Sequence, residues 1–309
     1  MKIPSIVNQT KWKVSFFDFG KAEEPGVRYF NPALISKDGS DWLIARKAAS
    51  VPGHNIGHNT LVAFKLDESH KPIGYVPIDL TNRAYINQNF EDPRIALIGD
   101  QTVLSYCTFQ ILGQSYSGAH QQVAFLNDGW QPMRTWDPIY GNNGGSILTN
   151  SGQEKNWIFF DYEGQMHMVY MTEPHEVVRW DGQAVGDVYK TDGIKWKYGH
   201  IRGGSNAIRV GDEYISFFHS SVKVEPDTRR YYMGAYCFNA KPPFNATRMT
   251  DEPILIGSEE DGRFKGLPYV VFPCGAILSR NNFVVSLGVN DYKSAWIEIP
   301  VNELDSIMK

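Results

Sequence analysis

A hairpin that recurs five times restricts the fold of this chain more than any other feature. Each copy has a polar start, a short apolar strand, a turn, a second apolar strand and a polar end. The first is N-P-A-L-I-S-K-D-G-S-D-W-L-I-A-R-K from Asn31, and the second is D-P-R-I-A-L-I-G-D-Q-T-V-L-S-Y-C-T from Asp92. The third runs K-N-W-I-F-F-D-Y-E-G-Q-M-H-M-V-Y-M-T-E-P from Lys155. The fourth is G-G-S-N-A-I-R-V-G-D-E-Y-I-S-F-F-H-S from Gly203, and the fifth is F-P-C-G-A-I-L-S-R-N-N-F-V-V-S-L-G-V-N-D from Phe272. Their starts lie at or beyond the ~40–50 residues of common propeller repeats, which leaves room for insertions. Helical periodicity is confined to V-N-E-L-D-S-I-M near the C-terminus. Elsewhere β-branched and aromatic runs alternate with Gly, Asp and Asn turns. The expected fold is all-β, a five-bladed β-propeller of four-stranded blades around a channel. A β-sandwich shares the turn spacing. No linker or low-complexity stretch divides the chain, so one domain over residues 1–309 is expected.

The bulk numbers narrow the partners. Charged residues are 21% and the formal net charge is −4, with no basic block, which argues against nucleic acid and anionic membrane. No apolar run approaches the ~20 residues of a membrane span, and the N-terminus lacks the apolar core of a signal peptide. The three cysteines, Cys107, Cys237 and Cys274, have no metal-ligand spacing and suit free thiols in a reducing compartment, so a cytoplasmic location is expected. No G-x-G-x-x-G, P-loop or G-x-S-x-G is present, so no nucleotide cofactor and no elbow-type serine nucleophile are expected. His54 and His58 are four apart, but two glycines make that stretch a loop rather than a metal-binding helix, and no metal is expected.

A propeller superposes equivalent strand ends around one funnel, and such ends on a rigid scaffold are where sites are built. Strand starts carry Asn31, Asp92 with Arg94, Lys155 with Asn156, Arg202, and Phe272. Second-strand ends carry Arg46 with Lys47, Tyr106, Glu173 with His175, His219, and Asn290 with Asp291. Taken singly, each reads as an exposed strand end or turn cap. Together they mix carboxylates, guanidinium, ammonium, imidazole and amides. Sugar hydroxyls need such donors and acceptors, and a glycosidic oxygen needs a positioned acid. The expected partner is therefore an oligosaccharide or glycoside. Asp92 is the candidate acid in N-Q-N-F-E-D-P-R-I. Pro93 stiffens the strand mouth, and Arg94, two residues on in an extended chain, is expected to point the same way as Asp92 and either orient its carboxylate or bind substrate. A structural Asp–Arg pair is the plainer reading.

F-E-D-P-R-I, E-K-N-W-I-F-F-D-Y-E-G, R-G-G-S-N-A-I-R-V-G-D-E-Y-I-S-F-F-H-S and V-V-F-P-C-G-A-I occur in that order, and the chain from about Asn31 to Asp291 resembles glycoside hydrolase family 130. The resemblance implies a five-bladed propeller and an inverting enzyme acting on β-mannosides, with Asp92 as acid and the proton relayed through a sugar hydroxyl. It also implies that Asn31, Arg46, Lys155, Asn156, His219 and Asp291 line the sugar and acceptor sites. Phosphorylases of the family hold phosphate with two arginines after E-D-P-R. This chain has Gln121 and Gln122 in the first place, and P-I-Y-G-N-N-G-G-S lacks the second, with Arg134 between them. Glutamine supplies no charge to a dianion, so hydrolysis or transfer is expected over phosphorolysis. The base across the ring would be Glu173 or Asp291. A non-catalytic carbohydrate-binding propeller, and an arabinanase-like site using Asp18, Asp92 and Glu173, are the other readings.

Overall fold

The structure is a computed structural model that describes residues 2–22, 24–49, 58–81, 88–112, 115–116, 120–136, 155–180, 185–262 and 269–309. It is a five-bladed β-propeller. The chain opens with β1 (Lys13–Phe16). Blade 1 then holds β2 (Val27–Lys37), β3 (Ser40–Ala49), β4 (His58–Leu66) and β5 (Pro72–Ile78). Blade 2 holds β6 (Gln88–Ile98), β7 (Gln101–Leu112) with the short β8 (Ser115–Tyr116) beside it, β9 (His120–Leu126) and β10 (Pro132–Trp136). Blade 3 holds β11 (Ile158–Tyr162), β12 (Gln165–Thr172), β13 (His175–Trp180) and β14 (Val185–Thr191). In blade 4 the inner strand is split into β15 (Ile201–Arg202) and β16 (Ile208–Val210), both paired to β17 (Glu213–Glu225). That strand is followed by β18 (Thr228–Asn239), β19 (Ala246–Met249) and β20 (Leu255–Ile256). Blade 5 holds β21 (Val271–Ser279), β22 (Asn282–Val289) and β23 (Lys293–Pro300), and β1 supplies its outer strand in the register Lys13↔Glu298 to Phe16↔Ala295. A short helix α1 (Val301–Ser306) follows, on the run that carries the helical pattern.

The strands read as continuous apolar runs because both faces of each blade are covered. Successive side chains point to opposite faces, so Ala33 and Ile35 pack toward blade 2 while Leu34 packs toward blade 5. The result is an apolar layer between every pair of neighbouring blades. Phe217 and Val285 lie in the layer of blades 4 and 5, Phe218 and Phe160 in that of blades 3 and 4, and Phe159 and Val103 in that of blades 2 and 3. Burying each such side chain contributes roughly 1.5–3 kcal/mol against the cost of ordering the chain. The three cysteines are free and buried. No helix of the described residues is long and apolar enough to cross a membrane.

The inner strands are all interrupted near their starts. Register slips between Phe30 and Ala33 in β2, between Glu91 and Arg94 in β6, and between Pro273 and Gly275 in β21. Each slip involves a proline, which has no N–H for the ladder and is tolerated at bulges. In blade 3 the break falls at Asn156 before β11, and in blade 4 it falls between β15 and β16. Asn31, Asp92 and Asn156 take positive φ there (48°, 49° and 69°), a region in which Asn and Asp are enriched among non-glycine residues. Neighbouring inner strands touch at these breaks. A Cβ on Gly203 would stand 2.1 Å from the Asn156 carbonyl oxygen, one on Gly204 2.9 Å from Pro273, and one on Gly275 2.2 Å from the Leu34 nitrogen. The breaks therefore form a ring about the axis and turn polar side chains toward it.

Candidate active site

Asp92 sits in the β6 bulge with its carboxylate held from three sides. Asn31 Nδ2 donates to Asp92 Oδ1 at 2.8 Å and reaches Asp291 Oδ1 at 3.3 Å. Arg46 places Nη1 3.6 Å from Asp92 Oδ1, ion-pairs through Nη2 with Glu91 Oε1, and donates from Nε to Asn59 Oδ1 at 3.2 Å. Asn59 in turn donates from Nδ2 to Glu91 Oε1 at 3.2 Å. Lys155 adds its ammonium charge to Asp92 and Glu91 from the start of blade 3. The site thus gathers three carboxylates, Glu91, Asp92 and Asp291, with Arg46 and Lys155 among them.

These groups share their protons unevenly. Burial pushes Asp92 up, but Arg46, Lys155, Arg94 and the Asn31 hydrogen bond outweigh it, and the carboxyl stays below its ordinary value. Burial raises Glu91 to about 7 despite the Arg46 charge, with Asp92 and Asp291 adding repulsion. Burial likewise raises Asp291, and Asp92 raises it further. Carboxylates this close titrate as a set, and the set holds a proton near neutral pH. Burial works against the charge of Lys155, but Asp92, Cys107 and Glu91 hold its ammonium above the ordinary value.

A pH dependence follows with a definite sign. Glu91 binds its proton more tightly folded than unfolded, so the stability tied to it is present below about 4.5 and lost as pH rises through about 7. Glu91→Gln keeps the uncharged shape, so the variant is expected to gain on wild type as pH rises across that window, by about 1–3 kcal/mol. Urea unfolding of both proteins at several pH values measures this. A pH-independent difference would contradict the raised value for Glu91.

The other expected residues fall into two groups. Asn31, Arg46, Lys155 and Asp291 meet around Asp92 as described. Arg202, exposed on β15, lies opposite His219 of β17 in the register, and its charge acts on both His219 and Tyr231. His219 is 3% exposed, its ring packed on Phe272 at 4.4 Å and stacked on Tyr231 at 5.9 Å. Burial, with Arg94, Arg202 and Lys155, drives it well below the ordinary value, so it is a neutral donor or acceptor. Asn156 is half-buried at the blade 3 break with its Oδ1 buried and unpaired.

Two expectations need correction. Arg94 does not bond the Asp92 carboxylate. The bulge breaks the alternation, and Arg94, 2% exposed over the Phe272 ring, donates from Nη1 to the main-chain oxygens of Asp92 and Pro93 at 3.1 and 3.0 Å. His175 is buried rather than presented at a strand end. It opens β13, is fully buried between Tyr236 and Phe238, and burial lowers its imidazole to about 4. Glu173 stands at the β12–β13 turn, with its side chain 42% exposed and 3.8 Å from His200 Nδ1. None of the bonds described around Asp92 involves it. Asp18 is equally apart, its carboxylate accepting from the Gly20 N–H at 2.9 Å.

Four contributors were not singled out from the sequence. Glu91 stood within the quoted motif without a role. Asn59 and Tyr231 lie on third strands, β4 and β18, whereas the repeat in the sequence spans two strands per blade. Asn290, named only as a strand end, ties the wall together, accepting from Val270 N at 2.7 Å and donating to Ser258 O at 2.6 Å. His54 lies outside the described residues, and His58 is exposed at the start of β4.

A five-bladed propeller with paired carboxylates, guanidinium and amides at its inner-strand breaks is of the glycoside-active class. The chain belongs to glycoside hydrolase family 130, whose model, described as beta-1,4-mannooligosaccharide phosphorylase, matches residues 3–309. This is a family of mannoside phosphorylases and hydrolases. Among solved structures, the chain is similar to a putative glycoside hydrolase from Parabacteroides distasonis, with 16% identity, TM-score 0.71, and coverage of 96% of this chain and 95% of that one. It is also similar to the β-1,2-mannobiose phosphorylase of Listeria innocua, determined with β-1,2-mannobiose, with 15% identity, TM-score 0.65, and coverage of 92% and 93%. A third likeness is to a structure from work on the glycoside hydrolases of this family that target β-1,2 mannosidic linkages in Candida mannan, with 16% identity, TM-score 0.67, and coverage of 89% and 85%. At these identities the structural likeness speaks to the fold. No curated protein sequence gives a significant match.

Proposed function

We propose that this protein is an inverting β-mannoside-cleaving enzyme in which Asp92 delivers the proton to the glycosidic oxygen and water or a sugar hydroxyl attacks the anomeric carbon. The observation that carries the reading is the Asp92 carboxylate, fixed by Asn31 and set among carboxyls that retain a proton near neutral pH. In the free protein Asp92 is ionised. A sugar ring seated over it removes water, raises its affinity for the proton, and lets it take one from the shared set. Arg46, Lys155, Asp291 and neutral His219 offer donors and acceptors for ring hydroxyls, with Tyr231 as an apolar face.

The choice of nucleophile rests on charge. Gln121, where a phosphate-holding arginine is expected, is buried, with its Oε1 3.7 Å from Cys107 Sγ. Arg134 is taken up elsewhere, its guanidinium 4.2 Å from both the Phe125 and Trp136 rings on the outer part of blade 2. The segment P-I-Y-G-N-N-G-G-S lies outside the described residues. For the base, Asp291 shares one amide nitrogen with Asp92, so the two acids are side by side, whereas an inverting pair spans roughly 6.5–9.5 Å with a sugar and water between. Glu173 remains the proposed base.

Phosphorolysis is the second reading, favoured by the family model's description and by two cations, Lys155 and Arg202, on the exposed side of the site. A glycan-product screen separates the two. β-Mannosides, incubated with and without phosphate and with nucleotide sugars as donors, should release free mannose at a rate independent of phosphate. Release of mannose 1-phosphate only when phosphate is present would replace hydrolysis with phosphorolysis. Glycan binding with no product under any condition would make the protein a carbohydrate-binding propeller.

A further inference from the structure

Gly288 lies in β22 opposite Phe272 and Ser294, in the middle of a buried sheet. Its φ is not positive, so the backbone there would accept a residue with a side chain. Glycine in a strand interior gives up conformational entropy and packing. Space is the reason for it. A Cβ on Gly288 would stand 1.8 Å from Asn31 Oδ1, 2.8 Å from Asn31 Cγ and 3.0 Å from Asn31 N. The Asn31 carboxamide thus occupies the volume that a side chain at 288 would take, across the interface between blades 5 and 1.

The two acids fix which way the carboxamide faces, and Gly288 leaves the room that its other end needs. Asn31 is 2% exposed, and its Oδ1 is buried without a hydrogen-bond partner against Gly288. Its Nδ2 donates to both Asp92 and Asp291. Turned over, the amide would set an oxygen against two carboxylate oxygens, and both would lose the donor they share. With Oδ1 lodged over Gly288, the donor end always meets the acids. One NH2 group then bridges two carboxylates that repel each other and holds Asp92 at a fixed position, adding its hydrogen bond to the Arg46, Lys155 and Arg94 charges that keep the acid ionised.

We infer that Gly288 is a positioning residue for the catalytic acid, acting through the Asn31 carboxamide. The inference rests on the reading of Asp92 as the acid. The conformational part of it, that residue 288 must lack a side chain because Asn31 is there, stands apart from that reading.

The test is a cycle of Gly288→Ala, Asn31→Gly and the double variant, read by thermal unfolding and by the pH dependence of kcat on a cleaved mannoside. Glycine suits the positive φ at position 31. Gly288→Ala alone should lower Tm by at least about 4 °C, lower kcat at least about tenfold, and move the limb of the pH profile set by Asp92 upward, since a bond that favours its carboxylate is lost. In the Asn31→Gly background the same alanine should leave Tm unchanged or raised and cost no further activity. If Gly288→Ala fails to fold, recovery of a folded double variant still supports the inference. Equal Tm losses in both backgrounds would overturn it, as would Gly288→Ala with wild-type kcat and pH profile. Should Asp92 prove not to be the acid, the Tm coupling between 288 and 31 persists while the pH shift vanishes, so the two failures are distinguishable.

Discussion

Asp92→Asn is expected to lower kcat by about 10²–10⁴-fold, the usual contribution of a positioned general acid, while leaving the protein folded. The substitution is close to isosteric. Asparagine tolerates the φ of 49° that the β6 bulge imposes, so the backbone contributes no penalty of its own. What disappears is the ability to carry a proton to the leaving oxygen and the negative charge facing Arg46 and Lys155. Removing one of three crowded carboxylates also relieves repulsion on Glu91 and Asp291, which Asp92 raises. The lost attraction to Arg46 and Lys155 opposes that relief, so Tm should stay near wild type, and the titration of Glu91, raised mainly by burial, should move down only in part. Steady-state kinetics with a thermal melt is sufficient. Undiminished turnover on the natural substrate would remove Asp92 from the mechanism.

Arg46→Met has the second largest expected effect, and it acts on both stability and turnover. The guanidinium reaches Glu91, Asp92 and Asn59 at once and lies 4.6 Å over the Phe30 ring. Methionine retains the apolar stem but leaves buried acids without their principal counter-charge. Breaking a buried pair by removing one partner costs about 3–5 kcal/mol. The cost is expected to be largest near pH 8, where the acids are ionised, and to shrink near pH 5, where protonation silences part of the repulsion. Lysine should not rescue it, because a single ammonium cannot span three acceptors as the planar fork does. Urea unfolding at the two pH values decides the matter. A cost that is the same at both would mean that Arg46 serves packing alone. Turnover should fall with the loss of alignment at Asp92, and adding Glu91→Gln should recover part of the stability, since it removes one of the uncompensated charges.

The blades were legible in the sequence and the bulges were not. Each hairpin unit reads clearly because blade strands are apolar on both faces, as Ala33, Leu34 and Ile35 are, and turns punctuate them regularly. The polar residues at the strand starts therefore stood out, and Asn31, Asp92 and Lys155 meet as the repeat implied. D-P-R reads as regular extended chain, which puts Arg94 on the side of the Asp92 carboxylate. A bulge adds a residue, so two positions along no longer means the same side. His175 misled for a related reason. It follows a two-residue turn and begins the next strand, where alternation turns it into the layer shared with blade 4. Spatial requirements left no sequence signal at all. Nothing in S-L-G-V-N-D says that its glycine makes room for a side chain 257 positions earlier.

The seam of the ring lies in blade 5, where residues 13–16 complete a sheet begun at residue 271. During synthesis the first strand emerges long before its partner exists. Phe17, Phe19 and Tyr29 then wait without the Ile277, Val284 and Trp296 that cover them in the finished protein. Four blades can stack in the order in which they are made, but the circle shuts only once β23 has left the ribosome. An interruption late in translation would therefore yield a stack with two open flanks. It would also lack Asp291 and Gly288, so the part of the site that steadies Asp92 is among the last to be delivered.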